Sequence, residues 1–238
     1  MKPEKQHGFL QDIYAISATA KEMVGTMRRD LRGNVYRYGQ AGATALAAGK
    51  LAVSADMDTD VENCVLAEAA AAGSKTVKVT VTSTTVAEDY FRGGDLIFND
   101  ATPEGHRYLI LHSSAVTAGT EITLTLDDPL AVAATTSSEV TIMQSPWKSA
   151  VISATDQADM PVGVPMVAIT AEYYGWFQTR GRAAVLADEA VAKGGAVTIG
   201  SSVAGAVELQ DAAGEPQIGI AEEAMSDTEY YPIYLMID

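Results

Sequence analysis

The stretch Tyr173-Tyr174-Gly175-Trp176-Phe177-Gln178-Thr179-Arg180-Gly181-Arg182-Ala183-Ala184-Val185-Leu186 decides the fold class. Aromatic and β-branched residues fit a pleated, half-buried surface. Alternation along a strand sets Tyr174 and Trp176 on one face and Tyr173 and Phe177 on the other. Outward from it, the chain breaks into strand-sized apolar runs at Val197–Ile199, Ala206–Leu209, Gln217–Ala221 and Ile233–Ile237. Turn chemistry separates them, as at Gly194-Gly195 and Asp211-Ala212-Ala213-Gly214. Many short strands at close spacing predict a small barrel or sandwich. The last residues, Tyr231-Pro232-Ile233-Tyr234-Leu235-Met236-Ile237-Asp238, predict a C-terminus fixed in a sheet.

The same pattern recurs upstream. Val77, Val79 and Val81 alternate with polar neighbours, which predicts a half-buried strand over Thr76–Ser83. Asp95–Asn99, Arg107–His112, Glu121–Leu126 and Glu139–Met143 follow, punctuated by Gly93-Gly94, Pro103-Glu104-Gly105 and Asp127-Asp128-Pro129. Ala67–Gly73 reads as a helical turn or a loop. The two prolines of Met160–Pro165 suit a linker or an edge strand. Near the N-terminus, Phe9, Ile13, Ile16, Ala20, Met23 and Met27 fall at helical spacing, so an amphipathic helix is expected within Gly8–Met27, chiefly its first half. From Val24 the pattern changes, and a Gly33-Asn34 turn before Val35-Tyr36-Arg37-Tyr38 predicts a β-hairpin. The expected organisation is all-β: an N-terminal arm and hairpin (1–40), then two small β-barrel or β-sandwich-like domains (41–150 and 151–238).

The formal net charge of −15 disfavours a partner made of nucleic acid, through repulsion from phosphate. Its distribution is uneven. Residues 1–38 hold seven basic side chains against four acidic ones, a net of +3, and the remaining 200 residues carry −18. An acidic body with a basic leading segment suits docking, and Arg28, Arg29, Arg32 and Arg37 are the candidate partner-binding residues; a solvated face with a few arginines is the alternative. Cys64 is the only cysteine, so no intrachain disulfide or thiolate cluster exists. The first residues lack the apolar core of a signal peptide, and no run approaches the ~20 apolar residues that cross a bilayer. A protein made in the cytoplasm, with no membrane partner, is expected.

Three motifs resemble chemical sites and fall short. Asp56-Met57-Asp58-Thr59-Asp60 begins like a calcium loop, but Val61 and Ala67 occupy the places of the required glycine and bidentate acid. Gly49-Lys50 lacks the earlier glycine and the following Ser or Thr of a phosphate loop, having Thr44 and Leu51 there. His106 and His112 share a strand parity but lie about 20 Å apart along a straight strand, at ~3.3 Å per residue. With no Gly-x-Ser-x-Gly elbow, no catalytic residue, metal or cofactor is expected, and the chain reads as a non-enzyme.

Arg32–Leu51, within Thr26–Leu51, resembles the N-terminal region of virion structural proteins of tailed bacteriophages. Tyr174–Ala183 and the run Gly219-Ile220-Ala221-Glu222-Glu223-Ala224 resemble their C-terminal domain. In particular the chain is similar to capsid decoration, or cement, proteins. That resemblance covers both ends of the chain and leaves Lys75–Gln144 as a generic β-domain. It implies a virion protein on the outer surface of the capsid, clamping neighbouring subunits, with the major capsid protein as partner and a homotrimer as the assembly. The alternative is a carbohydrate-binding or host-adhesion module that would use Tyr173, Tyr174, Trp176 and Phe177 as a stacking platform; otherwise these four are core or subunit-interface anchors.

Overall fold

A computed structural model describes residues 8–155 and 157–238. Their regular elements are all strands apart from a single short 3-10 turn at Thr59–Val61. The chain is thus all-β, with two barrel-like parts. One compact unit takes residues up to Ala55 together with Pro146–Asp238, and the other takes Asp56–Ser145. This differs from the expected division at 40 and 150. The N-terminal hairpin and the residues up to Ala55 join the C-terminal strands, and the middle of the chain closes on itself.

The discontinuous unit holds β1 (Met27–Arg29), β2 (Val35–Gln40), β3 (Ala52–Val53), β10 (Val151–Ile152), β11 (Pro161–Pro165), β12 (Tyr174–Leu186), β13 (Ala196–Ile199), β14 (Val207–Leu209), β15 (Gly219–Ala221) and β16 (Tyr230–Met236). Strand β12 organises it. Its first half lies between β2 and β11, with Gln178 paired to both Tyr36 and Val164, and its second half pairs with β16 from Arg180↔Met236 to Leu186↔Tyr230. The register with β2 slips between Gln178 and Arg180. Gly181 follows at φ +90, and a Cβ there would lie 2.0 Å from Asn34 Oδ1, so only glycine fits. Strand β11 is interior, since it pairs with β3 as well as β12, and is neither a linker nor an edge. Its prolines are tolerated because they occupy its two ends, around a bulge at Gly163.

The faces of β12 separate as alternation predicts. Trp176 and Tyr174 pack with Tyr36, Tyr38, Phe9 and Ile13, whereas Phe177 and Tyr173 pack with Leu46, Val162, Ile169 and Trp147. A third cluster joins Val185, Val197, Ile199, Ile218, Ile233 and Leu235 below the second half.

The continuous unit is a six-stranded sheet in the order β4 (Cys64–Val65), β9 (Glu139–Met143), β6 (Asp95–Asp100), β7 (Arg107–Ser113), β8 (Val116–Leu126), β5 (Thr76–Val86). A bridge Leu66↔Val79 brings its two ends together and nearly closes the barrel. Val77, Val79 and Val81 point inward against Ile122 and Leu124, through pairs Val77↔Leu124 and Val79↔Ile122. Each such buried aliphatic contributes about 1.5–3 kcal/mol of transfer free energy. Ala67–Gly73 is a loop tied down by the bridge Ala70↔Ala134.

The expected helix over Gly8–Met27 does not form. Burial alternates from Gly8 to Ser17, with Phe9, Gln11, Ile13 and Ala15 inward and Leu10, Asp12, Tyr14 and Ile16 exposed. Phe9 and Ile13 are four apart, a spacing common to a helix face and an extended chain. The polar Gln11 at the intervening inward position hides the shorter period.

Candidate functional site

The hairpin β1–β2 is the structural centre of the predicted binding region. Its turn is built on Asp30, whose Oδ1 accepts from the backbone N–H of Arg32 (2.8 Å) and Asn34 (2.9 Å). Its Oδ2 accepts from Asn34 Nδ2 (2.9 Å) and from the Tyr36 hydroxyl (3.3 Å). A backbone bond from Gly33 N to Asp30 O, with Gly33 at φ +85, completes it. An Asx-braced turn of this kind holds its tip with little freedom. Burial and the nearby Asp30 carboxylate push the Tyr36 hydroxyl up to about 12, so the Tyr36–Asp30 contact keeps its proton across the neutral range.

The four arginines divide into two pairs. Arg28 is spent inside the unit: its guanidinium lies 5.1 Å from the Phe9 ring centre and 5.7 Å from that of Trp176, and it donates to Gln11 O (3.2 Å). Arg37 is likewise engaged, with a two-pronged pair to Asp238 (2.5 and 3.0 Å), a bond to Gly25 O (3.1 Å) and the Trp147 ring at 4.9 Å. Arg29 and Arg32 are exposed, and their guanidinium groups make no hydrogen bond or ion pair with the described residues. Between them Leu31 is 76% exposed at the turn, and Met27 is 49% exposed on β1. Leu31 lies outside the sequence-predicted set. An apolar residue at a turn tip flanked by arginines is the signal for it.

The aromatics do not form one platform. Trp176 and Phe177 are fully buried, on opposite faces of β12, and only Tyr173 and Tyr174 are half-buried. Trp176 anchors the extended segment Gly8–Ser17 to the hairpin: Phe9 meets its ring edge-on at 5.4 Å, and its Nε1 donates to Gln11 O (3.1 Å). Gln11, 4% exposed, accepts from the Tyr38 hydroxyl (2.7 Å) and donates to Ala15 O and Tyr174 O. Burial raises the Tyr38 pKa, and that hydroxyl also accepts from Lys21 N–H (3.0 Å). Residues 1–38 are therefore no detachable arm over their described part. Val35–Tyr38 is a central strand, and Gly8–Ser17 is strapped to it. No sequence signal marks Gln11, because its role depends on partners 27 and 163 residues away.

The near-miss motifs have structural partners. Asp58 caps the short turn through Asp60 N–H (2.9 Å) and accepts from the Thr84 hydroxyl (3.1 Å). Gly49 is at φ +70, and Lys50 reaches Ala204 O (3.1 Å). His112 Nδ1 contacts Asp89 Oδ1 at 2.5 Å, and His106 Nδ1 lies 3.0 Å from the Tyr108 hydroxyl. Burial raises the Cys64 thiol pKa, and its Sγ lies 3.5 Å from Asp60 O. Among the described residues no group of three or more His, Cys, Asp or Glu is placed to hold a metal ion. Comparison with protein-family models, with curated proteins and with solved structures gave no match to the chain.

Proposed function

We propose that this chain is a non-enzymatic structural protein of a tailed-phage virion, which binds the outer surface of the assembled head and clamps neighbouring copies of the major capsid protein. The observation that carries this reading is the braced hairpin, which holds Leu31 outward between two arginines unpaired among the described residues, on a protein of net charge −15. An exposed apolar residue on a rigid turn loses little entropy when it is buried against a partner. The flanking cations favour an acidic partner surface and speed encounter with it. The resemblance of both chain ends to cement proteins supports the major capsid protein as partner and a homotrimer as the assembly. Full burial of Trp176 and Phe177 takes these two rings out of the platform that the carbohydrate-binding alternative would use.

The test is a titration of purified chain onto emptied, expanded heads. Saturation at a fixed copy number, with decorated heads resisting heat better than bare ones, is the expected result. Heads left bare at saturating protein would overturn the proposal, and sedimentation of the free chain as a monomer at micromolar concentration would overturn the trimer.

A further inference from the structure

Thr26 O accepts from Tyr38 N (2.9 Å) and Asp30 N donates to Asn34 O (3.0 Å). With the register Met27↔Arg37, Arg28↔Tyr36, Arg29↔Val35, these bonds place the ladder contacts of the hairpin at residues 26, 28 and 30. In an antiparallel pair such contacts alternate, so the N–H and C=O groups of Met27 and Arg29 face away from β2. No described strand pairs with β1 on that side. Met27 and Arg29 project on the same face of this edge, both exposed, and Arg28 turns to the other face, toward Phe9 and Trp176.

An open edge is a template for another strand, and proteins commonly guard such edges with charge. Here the guard is selective. Antiparallel pairing of two copies of Met27-Arg28-Arg29 sets arginines opposite or diagonal to one another, which disfavours self-association through this edge. A strand with carboxylates at alternate positions meets Arg29, and Arg32 just beyond it, with opposite charge, and its intervening apolar residues are free of that conflict.

We infer that β1 accepts an extended acidic segment of a partner protein as an added strand, bonded to the outward backbone groups of Met27 and Arg29 and selected by Arg29. This rests on the proposed role of the hairpin in docking, and not on the partner being a capsid subunit.

The probe is a short capped peptide alternating glutamate and valine, added to the full chain, with amide hydrogen exchange read by NMR. The Met27 and Arg29 amides are expected to slow on binding, with affinity falling as salt rises. Arg29→Pro removes one outward N–H and should weaken binding about tenfold, a loss of the size expected for a ladder hydrogen bond and a charge together. Arg29→Glu should reject this peptide and accept its lysine–valine counterpart. No binding, binding that leaves Met27 and Arg29 unprotected, equal binding by Arg29→Glu, or protection that follows protein concentration without peptide would each overturn the inference. Absence of peptide binding alongside occupied heads removes the strand-addition mode alone. Protection by peptide alongside bare heads removes the capsid reading alone.

Discussion

The unit Asp56–Ser145 and the unit built from the two ends of the chain are both barrel-like β-structures, yet they are held together differently. In the first, an aliphatic and aromatic cluster is accompanied by small buried hydroxyls such as Ser113, Ser138 and Thr141, and β6, β7 and β8 follow one another as antiparallel neighbours. In the second, the central strand β12 pairs with β2 across more than 130 residues of chain, and polar side chains such as Gln11, Gln40, Gln178 and Thr179 are buried beside the aromatics. Shorter-range pairing and buried polar groups that are only small hydroxyls make the first unit less dependent on any one polar side chain. Long-range pairing makes the second depend on specific hydrogen bonds, each costly to leave unmade. The exposed apolar and cationic hairpin belongs to this second unit, so the surface proposed for docking is the one with the most exacting support.

The largest effect that sharpens this contrast is expected from Trp176→Ala. Removing the ring deletes contacts with Phe9, Tyr38 and Arg28 and should cost about 3–5 kcal/mol. Hydrogen exchange should accelerate throughout the discontinuous unit while the strands of Asp56–Ser145 keep their protection. Ile122→Ala should do the reverse, costing about 2–5 kcal/mol in the continuous unit. Equal acceleration of both units by either variant would break the distinction.

Next in size is Gln11→Ala, expected to cost about 1–3 kcal/mol by leaving the Tyr38 hydroxyl proton without its acceptor and taking one of two donors from the Tyr174 carbonyl. Its signature is faster exchange at Ser17 and Tyr174, whose backbone groups bond to each other at 3.0 and 2.8 Å.

The hairpin carries a pH dependence of defined sign. The Tyr36 pKa is raised from 10.0 to about 12 in the folded chain, so its contribution to stability is complete below pH 10 and is lost as pH rises toward 12. Tyrosinate absorbance during an alkaline titration should show several late-ionising tyrosines, Tyr36, Tyr38 and Tyr174, of which Tyr36→Phe removes one. Asp30→Asn removes one cause of the shift and should bring that ionisation earlier. The smallest effect is expected from Arg37→Gln: its partly exposed pair with Asp238 and its contact with the Trp147 ring are each worth about 0–1 kcal/mol, and a thermal melt should move by only a few degrees.

The strands of the continuous unit were legible because Val77, Val79 and Val81, or Ile122, Leu124 and Leu126, write the period of two directly into the chain. The opposite faces of Trp176 and Phe177 were legible for the same reason. The joining of the hairpin to the C-terminal strands was not, because nothing local in Val35–Gln40 specifies Tyr174–Arg180 as its partner. The segment Gly8–Ser17 reads as helical because a buried glutamine, Gln11, occupies an inward position that pattern reading treats as outward. The four arginines look alike in sequence. What separates Arg28 and Arg37 from Arg29 and Arg32 is strand parity together with distant partners, Trp176 for one and Asp238 for the other.

The most direct measurement of the docking account is a binding titration of the paired variant Leu31→Ser, Arg32→Gln on undecorated heads, beside wild type and at two salt concentrations. Both residues are exposed and the turn is braced by Asp30, so the melting profile should be unchanged. Head affinity should fall about tenfold or more, as for residues that dominate an interface, and should lose part of its salt dependence. Wild-type affinity in the paired variant would show that the hairpin tip does not carry attachment and would contradict the account.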